Sequence, residues 1–218
     1  YQCDWSSDVC SSDLGVLTMD SRTPEQRRHG FELSLTGVGA HTEGVSADKQ
    51  SRWLVSLRRG YPDIALKIEH RDNEVSPRYY DALAKAEFTP APGQTLSLHF
   101  LHAGDTLLYH RKGNPDLNSD YTSDYAWARW RGDFGRVTSE SVASFTRVTW
   151  DRDGSGYLDG RNLVDVHERR KLSTIGLRQD LTLAAGERVW WRGGAEVKSS
   201  RADYDYRKAR DRSEEHTS

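Results

Sequence analysis

The stretch Tyr80-Asp-Ala-Leu-Ala-Lys-Ala-Glu-Phe88 decides the fold of this chain. Small or aromatic apolar residues occupy every second position, and Asp81, Lys85 and Glu87 stand among the residues between them. A period of two over this length predicts a β-strand with one apolar and one polar face. Such a strand is longer than the five or six residues that are typical of a soluble sheet.

The same alternation recurs before and after this stretch. It runs through Trp53 to Leu57, through Leu96 to Phe100 and through Val189 to Val197. In the last run the polar positions include Glu196 and Lys198, which are charged residues in the middle of a predicted strand. Charges at these positions favour a polar face that meets water rather than a dry core.

Turn signals between the strands are of two kinds, and the two kinds alternate. Short turns are predicted at 46–50, 90–93, 132–135 and 184–186, and longer polar stretches at 62–76, 110–120 and 151–165. Tight turns on one side and loops on the other are typical of the meander of a transmembrane β-barrel. The sequence therefore predicts an all-β fold, an antiparallel up-and-down barrel fragment of about nine strands.

Aromatic residues near the predicted turns and loops fit the two interfaces of a membrane, where amphipathic rings collect. The residues expected at these interfaces are Trp53, Tyr61, Tyr80, Phe88, Tyr109, Tyr125, Trp150, Trp190 and Trp191. The alternative is a soluble β-sandwich or barrel whose aromatic residues pack a core. The charges at mid-strand positions disfavour that alternative.

Composition excludes several classes of protein. The 218 residues are 35% hydrophobic and 29% charged, with a formal net charge of −2 and a mean hydropathy of −0.81. They contain no apolar run of the length of a transmembrane helix. The charge does not favour nucleic-acid binding, and seven Trp residues argue against a disordered chain.

The two ends resemble translated synthetic DNA rather than protein. Residues 3–14 read CDWSSDVCSSDL and residues 212–218 read RSEEHTS, which are similar to translations of a sequencing adapter and of its reverse complement. We therefore exclude residues 1–14 and 212–218 from the fold prediction. Both cysteines of the chain lie in the first of these segments, so no disulfide is predicted. We expect the remainder to be a piece of a longer protein.

Several segments of the remainder resemble TonB-dependent outer-membrane receptors. Gly15-Val-Leu17 is similar to the closing strand of the plug domain in that family, and Arg28 to Leu35 resembles the first barrel strand. Trp53-Leu-Val-Ser-Leu-Arg-Arg-Gly-Tyr-Pro-Asp63 is similar to a W-x-x-S-x-R-R-x-Y-x-D stretch in many such receptors, except that Pro62 replaces a hydrophobic residue. Pro77 to Asp81 and the pair Gly104-Asp105 also fit the family.

The resemblance implies a domain organisation and a set of partners. Residues 15–28 would be the end of the plug domain and its linker, and residues 29–211 the N-terminal part of the barrel. The implied partners are the lipid bilayer, the plug and remaining barrel strands, the TonB complex through an N-terminal segment, and a small nutrient. That nutrient would be a siderophore, cobalamin or a glycan, and the location would be the outer membrane of a bacterial cell.

A second motif points to a metal ion. Asp151 to Asn162 follows the calcium loop of EF-hand proteins at Asp151, Asp153, Ser155, the Tyr157 carbonyl and Asp159. Asn162 stands where the loop needs a bidentate Glu, and the flanking residues have a β pattern. The sequence thus predicts at most a weak Ca²⁺ site, and no other cofactor. It leaves open a second function, a soluble or secreted β-rich binding module with a calcium-binding loop.

Residues with catalytic potential are scarce. His99, His102 and His110 are the only clustered histidines, and the first two should point to opposite faces of a strand. No paired carboxylates, phosphate-binding glycine loop or nucleophile elbow is recognisable in the sequence. We therefore do not expect an enzyme, and we assign no catalytic residue.

Overall fold

The computed structural model describes residues 23–62, 75–109, 117–158, 162–186 and 189–210. These residues form nine β-strands. The strands are β1 (Arg28–Leu33), β2 (Gly37–Val45), β3 (Ser51–Gly60), β4 (Val75–Phe88), β5 (Gln94–Tyr109), β6 (Leu117–Phe134), β7 (Val137–Leu158), β8 (Asn162–Ala184) and β9 (Trp190–Arg210).

All nine strands belong to one antiparallel sheet in which each strand pairs with its neighbours in the sequence. The predicted all-β, up-and-down architecture with about nine strands is confirmed. Within the described residues the sheet does not close, and β1 and β9 form its two edges.

The predicted short turns connect β2 to β3, β4 to β5, β6 to β7 and β8 to β9. Positive φ angles occur at Lys49 in the first of these turns, at Gly93 in the second and at Gly135 in the third. A glycine reaches this conformation at little cost because it has no Cβ atom. The long connections 63–74, 110–116 and 159–161 lie outside the described residues.

The strands extend further into the predicted loops than expected. Residues 151–158 were predicted as the start of a loop, but they continue β7, and β8 begins at Asn162. The cause is a ladder that stays in register, since Asp151 pairs with Asp120 on one side and with Arg169 on the other. A complete backbone ladder outweighs the turn preference of Asp and Gly residues.

The register divides the side chains between two faces, which we name after two neighbours in β4. The Lys85 face includes a row formed by Glu43, Leu54, Lys85, His99, Trp127, Ser144, Gly176 and Lys198. The Ala84 face includes a row formed by Thr42, Val55, Ala84, Phe100, Ala126, Phe145, Ile175 and Ser199.

Burial in this sheet is the reverse of burial in a water-soluble sheet. The buried polar residues of the described ranges are Glu43, Lys85, Ser97, Ser123 and Glu168, and all of them lie on the Lys85 face. On the Ala84 face, Ile175 is 63% exposed and Leu177 is 61% exposed, compared with 7% for Lys85. In a single layer the shielded face is the one around which the sheet curls. We therefore infer that the sheet curls around its polar face.

Candidate membrane-facing surface and side-chain clusters

The Ala84 face carries a band of apolar side chains that starts at the short turns. In β6 it runs from Phe134 to Ala126, after which Asp124 begins a polar stretch. In β8 it runs from Leu183 to Ile175, interrupted by Gln179, which is hydrogen-bonded to Ser139 and Ser141 of β7 on the same face, and Ser173 beyond it is polar. The band thus spans about nine residues of β6 and β8, which is close to what a tilted transmembrane strand needs.

Four of the predicted interface aromatics lie on the Ala84 face: Trp53, Tyr80, Phe88 and Trp191. Trp53 covers Gly44, where an added Cβ atom would lie 2.3 Å from the indole ring. Tyr80 covers Gly104 in the same way, since a Cβ atom added at Gly104 would lie 2.6 Å from the Tyr80 ring.

Trp130 joins the turn-side aromatics and was not predicted. Its ring centroid lies 5.9 Å from that of Phe134. The two residues are four positions apart in a strand, so the period of two already places them on one face.

The other predicted interface aromatics have different positions. Tyr109, Tyr125, Trp150 and Trp190 lie on the Lys85 face, opposite to the first four, and their place at a membrane interface stays a prediction. The prediction grouped residues by their distance from turns and did not use the alternation of faces. Tyr61 follows β3, and its hydroxyl donates a hydrogen bond to the Ser34 carbonyl at 3.4 Å.

The residues of the predicted calcium loop do not form an EF-hand loop where the structure describes them. Asp151, Asp153 and Ser155 point to the same face of β7, and the backbone of Tyr157 belongs to that strand. Asp159 lies outside the described residues. An extended strand cannot wrap its carboxylates around one ion in the manner of that loop. Calcium binding itself stays a prediction.

Instead, β8 brings His167 to two of these carboxylates. Asp153 and His167 are register partners, and the His167 Nδ1 atom is hydrogen-bonded to the Asp153 carboxylate. One ligand atom from each of Asp151, Asp153 and His167 lies within 4.8 Å of the others. The Nε atom of Arg169 is 3.5 Å from the second carboxylate oxygen (Oδ2) of Asp151. We call Asp151, Asp153 and His167 the Asp151 cluster.

No protein-family model, curated protein or solved structure matches this chain. No helix among the described residues is long and apolar enough to span a membrane. Function must therefore be argued from the faces of the sheet and from the clusters on them.

A second cluster lies on the Lys85 face, near the loop ends of β7, β8 and β9. It consists of Trp150, Arg152, Glu168, Arg170 and Tyr204, and we call it the Glu168 cluster. Glu168 is buried and accepts hydrogen bonds from Arg170 Nε at 2.6 Å and from the Tyr204 hydroxyl at 3.3 Å. Of its members only Trp150 was predicted to have a role, and that role was at the membrane interface.

Proposed function

We propose that this chain is part of a TonB-dependent receptor of the bacterial outer membrane, which takes up a scarce nutrient. The observation that carries the proposal is the reversed burial of the sheet. Apolar side chains such as Ile175 and Leu177 are exposed, while Lys85 and Glu168 are shielded. A sheet of this kind is stabilised when lipid covers its apolar face and water fills the other side.

Ion pairs along the Lys85 face support a water-filled interior. Arg52 is 3.0 Å from Glu87, and Arg58 is 2.7 Å from Asp81. A third pair, between Arg129 and Glu140, is also 2.7 Å long. These pairs are cross-strand neighbours or near neighbours, so they stabilise the register and remain in contact with water.

The residues before β1 support a plugged interior. Lys85 Nζ donates a hydrogen bond to Thr23 Oγ1 at 3.5 Å, and Pro24 is buried. The chain therefore approaches its first strand from the side of the Lys85 face. This is the path expected where a plug domain precedes the barrel and fills its lumen.

In this proposal the open edges, β1 and β9, pair with the remaining barrel strands of the receptor. The apolar band contacts the lipid bilayer, and the Lys85 face surrounds the plug domain. The TonB complex acts on the N-terminal part of the receptor, and a small nutrient such as a siderophore, cobalamin or glycan is carried. The role is transport rather than catalysis.

The test is the solvent in which the chain folds. We expect circular dichroism to show β-structure when the chain is diluted from urea into detergent micelles or lipid vesicles. In plain buffer we expect aggregation, because none of the described residues covers the apolar band. A monomer that unfolds cooperatively in plain buffer would refute the receptor and favour the soluble binding module.

A further inference from the structure

The two faces differ chemically beyond the apolar band, towards the loop ends of the long strands. On the Ala84 face, acidic residues pair with basic ones, as Asp151 does with Arg169 and Asp205 with Arg207. On the Lys85 face, aromatic rings and guanidinium groups predominate. The first arrangement satisfies its own charges, and the second does not.

Charges in the Glu168 cluster do not balance. Glu168 is one carboxylate between two guanidinium groups, and Arg170 holds it with two nitrogen donors, Nε and a terminal nitrogen. The nearest Arg152 nitrogen is 4.0 Å from the other carboxylate oxygen, and Arg152 Nε is buried without a hydrogen-bond partner. Glu168 therefore compensates only one of the two guanidinium charges, and the Arg152 side chain, which is 38% exposed, carries the charge that is left over.

The rings of the cluster form a fixed platform around this charge. The guanidinium carbon of Arg152 lies 4.6 Å from the Trp150 ring centroid, and that of Arg170 lies 5.0 Å from it. Arg170 also lies 5.4 Å from the ring of Tyr204, which stacks on Tyr206 with centroids 6.4 Å apart.

The indole is held in place by a hydrogen bond from Trp150 Nε1 to Ser119 Oγ at 3.0 Å. A platform that is already ordered loses little side-chain entropy when a ligand stacks on it.

We infer that the Glu168 cluster binds a planar aromatic anion. The ligand ring packs against the exposed ring of Tyr204, and its anionic group accepts hydrogen bonds from Arg152. A cation of the same shape is repelled by Arg152, and a neutral sugar leaves that charge uncompensated. This inference deepens the proposed function by naming a ligand class. It rests on that function only in taking the Lys85 face as the wall of the lumen.

Three probes separate these ligand classes: naphthalene-2-carboxylate, 2-naphthylmethylammonium and the neutral sugar cellotriose. Binding is measured by calorimetry on the whole chain folded in phosphocholine micelles, with empty micelles as the blank. We expect the carboxylate alone to bind. The Arg152→Gln variant should weaken its binding by about tenfold or more, because a charge-assisted hydrogen bond is lost.

The matched control is Arg147→Gln. Arg147 lies in the same strand and also stacks on a ring, with 5.4 Å to the Phe145 centroid, but it points to the Ala84 face. This variant should leave the affinity unchanged. Equal losses in the two variants, equal binding of the cation, or binding of the sugar alone would each overturn the inference.

Circular dichroism of the same samples separates this inference from the receptor proposal. A micelle-dependent sheet that does not bind the carboxylate contradicts only the ligand class. A chain that folds in plain buffer and binds the carboxylate through Arg152 contradicts only the receptor.

Discussion

Ala84 and Lys85 are neighbours in β4 whose side chains have opposite surroundings. Lys85 is 7% exposed, lies 3.6 Å from Glu87 and contacts the segment before β1 through Thr23. Ala84 stands in the apolar row with Val55 and Phe100 on the other face. One step along the backbone thus changes the surroundings from polar and shielded to apolar and outward-facing.

A charge should therefore be costly at one of these positions and cheap at the other. In the protein folded into phosphatidylcholine vesicles, Ala84→Arg should lower the free energy of unfolding by about 2–4 kcal/mol, because the guanidinium enters lipid near the bilayer centre. Lys85→Arg keeps its charge among polar groups and should change little. Urea titration measures both, with Ala84→Leu as a neutral control. Similar costs for the two arginines would show that the faces are wrongly assigned.

A polar turn residue gives a prediction about pH. In the turn between β2 and β3, Asp48 accepts hydrogen bonds from the Ser46 hydroxyl and, at 3.0 Å, from the Gln50 backbone N–H. The Ser46 bond first, and then the Gln50 bond, lowers the pKa of Asp48 below its ordinary value of 3.8. A carboxyl group whose pKa is lowered in the folded state stabilises the fold at pH values above its ordinary pKa. That contribution is lost as the pH falls through the folded-state pKa.

Asp48→Asn should accordingly be less stable than the wild type at neutral pH. The difference should shrink in acid, where the carboxylate of the wild type becomes protonated. Urea titrations near pH 7 and near pH 2.5 measure the two differences. A difference that stays constant between these pH values would argue against the ionised turn.

At the scale of the element, glycines in the strands make room for aromatic rings on the neighbouring strand. The Tyr80 ring lies over Gly104, whereas nothing lies within 4 Å of a Cβ atom added at Gly193. Both glycines are on the Ala84 face. They differ in whether a ring needs the space that the missing Cβ leaves.

Adding one methyl group tests this. Gly104→Ala should displace Tyr80 and lower the free energy of unfolding by about 1 kcal/mol, because a cross-strand contact is lost. Gly193→Ala should be neutral or slightly stabilising, since alanine restricts the unfolded chain more than glycine does. Urea titration in vesicles measures both changes. Equal losses would mean that the ring over Gly104 contributes nothing.

The β7–β8 hairpin bears on the calcium prediction. Asp151 to Ser155 are held in a ladder, which places Asp151 and Asp153 on one face beside His167 but does not let the backbone wrap around an ion as an EF-hand loop does. We expect calorimetric titration with CaCl₂ to give the same heats for the wild type and for the Asp151→Ala, Asp153→Ala double variant. Heat that disappears in the double variant would mean that the site forms despite the ladder. Its dissociation constant would then fall in the weak range of about 10⁻⁴–10⁻³ M.

The positions and the two faces of the individual strands were largely predictable, because a period of two is a local signal in the sequence. The alternation in Tyr80 to Phe88 gave the strand and both of its faces correctly. The prediction was wrong at the Asp/Gly-rich start of the predicted loop, where composition was used in place of spacing. The Glu168 cluster depends on pairing between β7, β8 and β9, which no single stretch of sequence encodes.

On the scale of the whole molecule, the strand order followed from the sequence, since each turn joins neighbours in an antiparallel meander. The reversed burial of the two faces could not be predicted from the sequence in this way. Alternation shows that a strand has two faces, but whether the polar one is shielded depends on how all nine strands curve together. That property is why the solvent in which the chain folds is the decisive measurement.

Strand length rises along the sheet from β1 to β8, and this shapes the entrance of the receptor that we propose. β3 ends at Gly60, three residues past the apolar Leu57, whereas β8 begins at Asn162, thirteen residues before Ile175. At about 3.3 Å per residue, the wall stands roughly 30 Å taller along its strands at β8 than at β3. The entrance is therefore asymmetric, with a short wall at β3 and a tall wall at β8. In the receptor that we propose, the tall side carries Arg152, whose side chain is partly exposed, so an incoming solute would meet this charge before it reaches the level of the bilayer.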